Sequence, residues 1–222
     1  AALRASRVDT TETLVRAFDT LQGAAPRVLV SASAIGYYGP RANDQTLDET
    51  APPGDDFLAR LCVAWEGAAR GAEALGVRVV TPRLGTVLGR GGGALQAMEG
   101  PFRAFVGGPV GSGRQMVSWI HREDLVRLLA FLLTHGELDG AVNATAPHPV
   151  PNRAFAKALG RALHRPAWAP APAYVLRLAL GAVAALVTTG QDVRPRRALA
   201  AGLTFPYPMI DEALAAVYAD EG

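Results

Sequence analysis

Apolar positions along the chain repeat at two periods. In residues 9–21, Leu14, Val15, Phe18 and Leu21 fall at helical spacing, with Thr10 or Thr11 placed to cap the start and Gly23 to end it. Pro26 leads into R-V-L-V-S-A-S (27–33), a short apolar run of strand composition. A polar, Pro-rich loop follows over 37–54. Asp55 or Asp56 then caps a second helix, whose apolar stripe is Leu58, Leu61, Cys62, Trp65, Ala69 and Ala72 and which Gly76 stops. V-R-V-V-T-P (77–82) reads as the next strand. Helix, strand, helix, strand at these spacings is the alternation of an α/β fold with a parallel sheet.

A Gly-rich loop (85–93) and a loop G-G-P-V-G-S-G (107–113) come next. The pattern then predicts a strand at 117–120, an apolar helix from Glu123 and Asp124 to His135-Gly136, and a strand at 140–146. The remainder reads as helices: one capped by Asn152, one at 173–187, one after Asp192 that Gly202 stops, and one at 211–218. It shows no clear strand, and its composition shifts to Ala, Pro and Arg after Pro147. The chain therefore divides into 1–147 and a small, mainly helical C-terminal subdomain, 148–222. The apolar run 178–187 is ten residues long. A bilayer needs about 20, so the run predicts a buried helix and no membrane partner.

Composition narrows the function classes. Half of the 222 residues are hydrophobic and 19% are charged, which supports an ordinary core and excludes disorder over most of the length. A net charge of +2 without a basic run argues against a dedicated nucleic-acid binder. The single cysteine, Cys62, excludes a disulfide framework and a multi-cysteine metal site, and no metal is expected. No secretory pattern is present, so the expected compartment is the cytoplasm. One lysine, Lys157, stands among 21 arginines, so lysine chemistry must use it or none. The first residue is Ala1 and the first methionine Met98, which reads as a chain beginning inside a longer protein.

Several segments carry candidate chemistry. S-A-S-A-I-G-Y-Y-G (31–39) leaves the first strand at its C-terminal end, where ligands bind in open parallel sheets. Ser31 and Ser33 can hydrogen-bond a ligand there, although a Ser-rich turn serves backbone needs equally well. Gly89, Gly91 and Ala94 fit G-x-G-x-x-A, but five residues separate Gly89 from the expected strand end, and no acidic residue closes a second strand about 20 residues on. A flexible substrate-side loop is the better reading. His121 sits in S-W-I-H-R-E-D-L; packing at a strand end explains it more simply than catalysis, with Glu123 and Asp124 favouring the positive helix N-terminus. Cys62 and Trp65 read as core, since no base adjoins the thiol.

Together these segments resemble the extended short-chain dehydrogenase/reductase superfamily, and within it the atypical, nucleotide-sugar-epimerase-like branch with a DUF1731-type helical C-terminal region. The resemblance rests on Ser6-Arg7 with Thr11, S-A-S-A-I-G-Y-Y-G, the helix motif from Phe57 to Glu66 and R-L-G-T-V-L-G-R-G-G-G-A from Arg83. It extends through G-G-P-V-G-S-G-R-Q-M-V-S-W-I-H-R-E-D-L from Gly107, N-A-T-A-P from Asn143, H-R-P-A from His164 and F-P-Y-P from Phe205. It implies the C-terminal portion of a Rossmann-type doubly wound parallel sheet, with the two early strands as the fifth and sixth of that sheet. A strand, a G-x-x-G-x-x-G loop and a helix, within roughly 80 residues at 30 or more per βαβ unit, would precede Ala1. It also implies NADP or NAD as cofactor, NADP being favoured. Ser31, Ala32 and Ser33 would line the nicotinamide side, Arg7 would approach from its helix, and Arg83, Leu84, Gly85 and Val87 would close over the cofactor unless Arg83 is structural.

Two departures qualify the chemistry. The superfamily places Tyr and Lys at i and i+4 on one helix face, where the ammonium lowers the phenol pKa; Leu58 and Cys62 hold those places here. Ser33 matches the helper serine, and Tyr37 and Tyr38 are near enough in sequence to substitute. On the substrate side, Val117 stands where sugar-nucleotide members have an arginine, leaving Arg114, Gln115 and His121 as candidates. The expected function is an NAD(P)-binding oxidoreductase or epimerase-like protein acting on an unknown small molecule. The alternative is a non-catalytic NADP-binding sensor or interaction module.

Overall fold

The computed structural model describes residues 2–21, 24–41, 45–170 and 190–219. The helix expected at 173–187 and the helix stop at Gly23 lie outside the described residues. The chain starts with α1 (Ala2–Arg4), a π-helical turn (Ala5–Asp9) and α2 (Thr10–Asp19). Thr11 Oγ1 donates to the Arg7 carbonyl at 2.7 Å within this run. Strand β1 (Val28–Val30) continues after Ser31 and Ala32 into β2 (Ser33–Ala34) and a 3-10 turn, Ile35–Tyr38. Beyond β3 (Thr46–Leu47), Asp56 caps α3 (Phe57–Arg70) by accepting from the Ala59 N–H at 2.7 Å. A second 3-10 turn (Gly71–Leu75) leads to β4 (Arg78–Leu84), then β5 (Thr86–Leu88) and α4 (Gly93–Arg103). The rest comprises β6 (Met116–Val117), β7 (Trp119–His121), α5 (Arg122–Thr134), β8 (Gly140–Ala144), β9 (Val150–Pro151), α6 (Asn152–Ala162), β10 (Asp192–Val193), α7 (Arg196–Ala200) and α8 (Ile210–Tyr218).

The main sheet is parallel, with β4 at its centre. β1 and β2 run in step along one side of β4, Val30 opposite Val80 and Ser33 opposite Arg83, while β8 pairs with the other side. Period two then sorts the side chains. Leu29 and Val79 pack on Val15 and Phe18 of α2 and Ala69 of α3. Val30, Val80, Val142 and Ala144 pack with Leu128 and Leu132 of α5 on the opposite face. Each fully buried Leu or Val of this kind contributes about 1.5–3 kcal/mol. The sheet is thus a two-faced α/β layer, as the alternation predicts.

Several local readings change; helical structure begins at Ala2, and Asn152 is the first residue of α6 and not its cap. The strand expected at 117–120 breaks at Ser118, whose hydroxyl donates to the Gln191 carbonyl at 2.7 Å and accepts from the Val193 N–H at 2.9 Å. The Gly-rich stretch contains β5, which pairs in parallel with β7, so Gly89 directly follows a strand after all. Two short strands occur after residue 147: β9 pairs antiparallel with β6, and β10 pairs in parallel with β3. Leu95, Phe102 and Trp119 share one core with Phe155, Leu159, Leu214 and Val217, so packing runs across the border drawn at 147.

Candidate functional site

The site begins with an acidic residue on an otherwise apolar helix stripe. Ala59, Cys62, Glu66 and Ala69 are the buried positions of one face of α3, and Glu66 is 4% exposed. Opposite it, Arg83 comes from β4, in register with Ser33 of β2. The Arg83 Nε and Nη2 donate to the two Glu66 carboxylate oxygens at 2.8 and 2.9 Å, a two-point contact. Ser33 Oγ donates to Glu66 Oε1 at 2.7 Å. Arg83 Nη1 donates to the Tyr38 hydroxyl at 3.0 Å, and that hydroxyl donates to Asn143 Oδ1 at 2.7 Å. The Asn143 N–H donates in turn to Glu49 Oε1 at 3.0 Å.

This chain of bonds ties β2, α3, β4, β8 and the 3-10 turn together, with Glu66 and Arg83 neutralising each other. Burial by itself would lower the Arg83 pKa, but hydrogen bonds to Glu66 and the nearby Tyr38 raise it, so the guanidinium stays charged. Burial pushes the Tyr38 phenol up despite Arg83, which keeps it a neutral donor. The Cys62 thiol is likewise pushed up by burial, consistent with a packed and unreactive group.

Tyr37, next on the same turn, is half-buried. The guanidinium carbon of Arg83 lies 3.3 Å from its ring centroid, and the Tyr38 ring meets it edge-on at 5.3 Å. No described residue hydrogen-bonds its hydroxyl. Ser31 is half-buried, its N–H donating to the Val80 carbonyl, and Ala32 is exposed. Leu84, Gly85 and Val87 are half-buried at the same strand ends. A Cβ at Gly85 would stand 2.7 Å from the Ser118 carbonyl oxygen, so glycine lets β4 cross close to β6 and β7 there. Arg7 lies 5.6 Å from the Trp65 ring centroid, and Trp65 Nε1 donates to Thr11 Oγ1 at 3.1 Å. Thus Arg83 meets Tyr37 directly and Ser33 through Glu66, whereas Arg7, on the turn before α2, packs on Trp65 of α3.

The face expected to lack the Tyr/Lys pair is covered. Leu58 and Cys62 lie against Gly36 of the 3-10 turn; a Cβ there would stand 3.7 Å from Leu58 Cβ and 3.8 Å from Cys62 Sγ. On the substrate side, Arg114 is exposed, while buried Gln115 donates to the Val110 carbonyl of its own loop at 3.0 Å. His121 caps α5, its Nδ1 accepting from the Glu123 N–H at 3.2 Å, and its ring sits 4.0 Å from that of Tyr207. Burial lowers its pKa, so the ring is a neutral cap. Val117 pairs with Val150 in the β6–β9 ladder. Two surface cavities of about 570 and 530 Å³ are lined by Arg161, His164 and Arg165 of the C-terminal part and by no strand-end residue. Sequence reasoning offered Tyr38 as a substitute acid but missed Glu66 and Asn143, which share its buried hydrogen-bond network.

A sequence model of the NAD dependent epimerase/dehydratase family matches residues 2–144. The chain belongs to that family. A second model, a domain of unknown function (DUF1731), matches residues 171–217. The epimerase family protein SDR39U1 homolog, chloroplastic, of Arabidopsis thaliana is 43% identical over 97% of this chain, which spans 62% of that relative's length. The epimerase family protein YfhF of Bacillus subtilis is 36% identical over 97% of this chain and 70% of its own length. The crystal structure of human epimerase family protein SDR39U1 with NADPH superposes with a TM-score of 0.90 at 38% identity, covering 98% of this chain and 73% of that one. Among the described residues no helix is long and apolar enough to cross a membrane.

Proposed function

We propose that this epimerase-family chain holds the nicotinamide side of NADP at the carboxyl ends of β2, β4 and β5 and serves as an oxidoreductase without the family's Tyr/Lys pair. The observation that carries the reading is that β2 and β4 end in register, Ala34 opposite Leu84, with Gly85 just past β4 and Tyr37 just past β2. Small residues there leave room for a flat ring. The likeness to a human protein solved with NADPH supports NADP over NAD. When bound, such a cofactor supplies a hydride donor or acceptor.

In this reading Arg7 approaches the cofactor from its helix, and Tyr37 carries the unengaged phenol nearest the rim. Ser33 and Arg83 act from inside the buried network. Arg114, Gln115 and His121 belong to the substrate side, which takes a small molecule, and the compartment is the cytoplasm. The test is titration of the natural protein with NADPH and NADH, read by tryptophan fluorescence. NADPH saturation that weakens in Ser31→Val is expected; no response to either nucleotide overturns the reading.

A second reading, a non-catalytic NADP-binding module, is favoured by one observation: Leu58 and Cys62 are packed under Gly36. Saturable NADPH binding with no oxidation against a panel of aldehydes and ketones selects it.

A further inference from the structure

The Glu66–Arg83 pair is too well built to be only a counter-ion arrangement. Both side chains are nearly inaccessible, at 5% and 4% exposure, and both carboxylate oxygens are used. Arg83 has one face and one nitrogen left over. The face lies under the Tyr37 ring and the nitrogen holds the Tyr38 hydroxyl. A guanidinium on a flexible stem does not choose such a pose unaided; it loses rotamer freedom, which the two-point carboxylate contact offsets. Glu66 therefore determines where the guanidinium plane lies, and that plane is the floor beneath Tyr37. Ser33 completes the device, because its only proton is committed to Glu66.

We infer that Glu66 is a positioning residue that acts through Arg83 to hold the Tyr37 ring at the strand-end rim. The inference rests on the proposed function only in giving Tyr37 a ligand to meet. Lysine at position 83 would keep a charge but not the planar floor, so the role is one of shape as much as charge.

The experiment uses the natural protein grown with 3-fluorotyrosine, the Tyr37 resonance being identified by its loss in Tyr37→Phe. Glu66→Gln and, as a second variant that keeps the charge at 83, Arg83→Lys are compared with the native protein by fluorine NMR. The expected result is that the Tyr37 resonance shifts in both variants while those of Tyr207 and Tyr218 stay. An unmoved Tyr37 signal in a folded variant overturns the inference. NADPH oxidation with phenanthrenequinone as the probe carbonyl gives the functional arm. Glu66→Gln is expected to lower kcat roughly tenfold with little change in KM for NADPH, and to cost nothing further in the Tyr37→Phe background. Equal loss in both backgrounds would make Glu66 merely structural and overturn the positioning role. A native protein that neither binds nor oxidises NADPH would sink the proposed function, while the Tyr37 resonance still decides the inference.

Discussion

Replacing Glu66 by Gln removes one charge from a pair that has almost no access to water. The side-chain shape is kept, so packing changes little and electrostatics dominate. Gln can still accept from Ser33, but it cannot neutralise Arg83. Removing one partner of a buried ion pair typically costs 3–5 kcal/mol, because the other charge stays buried without compensation. For a chain of this size each kcal/mol moves Tm by about 2–4 °C, so a loss of about 6–20 °C is expected. The control is Glu66→Leu with Arg83→Met, which removes both charges. It leaves Ser33 and Tyr38 each short of one partner, at about 1 kcal/mol apiece, yet it is expected to melt above the single variant. Thermal and urea unfolding followed by tryptophan fluorescence measure both. The reasoning is refuted if Glu66→Gln melts within about 2 °C of the native protein, or if the double variant is the less stable of the two.

Other outcomes follow from single contacts. Cys62→Ala is expected to cost on the order of 1 kcal/mol and leave NADPH affinity unchanged, and the native thiol, pushed up by burial, should react with a disulfide reagent only after unfolding. His121 has its pKa lowered by burial, so the unfolded chain binds more protons between that lowered value and about 6.5. Stability should therefore fall as pH drops through that window, and His121→Asn, which keeps a cap acceptor, should flatten the dependence of the urea midpoint. Asp48 is held down to about 2 by hydrogen bonds from Thr50 and Arg196, so its contribution is present above the ordinary carboxylate range and lost toward about pH 2. A less steep acid limb in Asp48→Asn checks it. Leu58→Tyr with Cys62→Lys should lose stability and still fail to interconvert UDP-sugars by NMR; fast epimerisation would show that the covered face opens.

The alternation of helix and strand was legible because period and capping agree: Asp56 caps α3 and Leu29 and Val79 face α2 and α3. The short strands were not. β3, β9 and β10 are each two residues long, below any window in which alternation shows. Their pairings are made by distant segments, such as Val193 with Leu47. The break at Ser118 likewise depends on a backbone partner more than 70 residues away, as the Ser118–Gln191 bond shows. The ends of β1 and β4 were legible as well, and strand ends set where ligands can approach.

Glu66 had a signal that the apolar stripe concealed. Counting Leu58, Leu61, Cys62, Trp65 and Ala69 as the buried face of α3 places Glu66 on that same face, four residues after Cys62. A carboxylate there needs a buried cation, because an uncompensated ion is too costly to desolvate. Arg83 is the charged residue in the most buried stretch of β4, between Pro82 and Leu84. Each residue alone looks like an exception; together they are a pair that the fold must bring into contact. The turn of α3 before Glu66 is apolar where it meets the 3-10 turn. With leucine and cysteine at 58 and 62, that helix face has nothing to offer water or ligand, so the 3-10 turn closes on it through Gly36. The same 3-10 turn carries Tyr37 over the guanidinium of Arg83, which Glu66 holds one helical turn beyond Cys62.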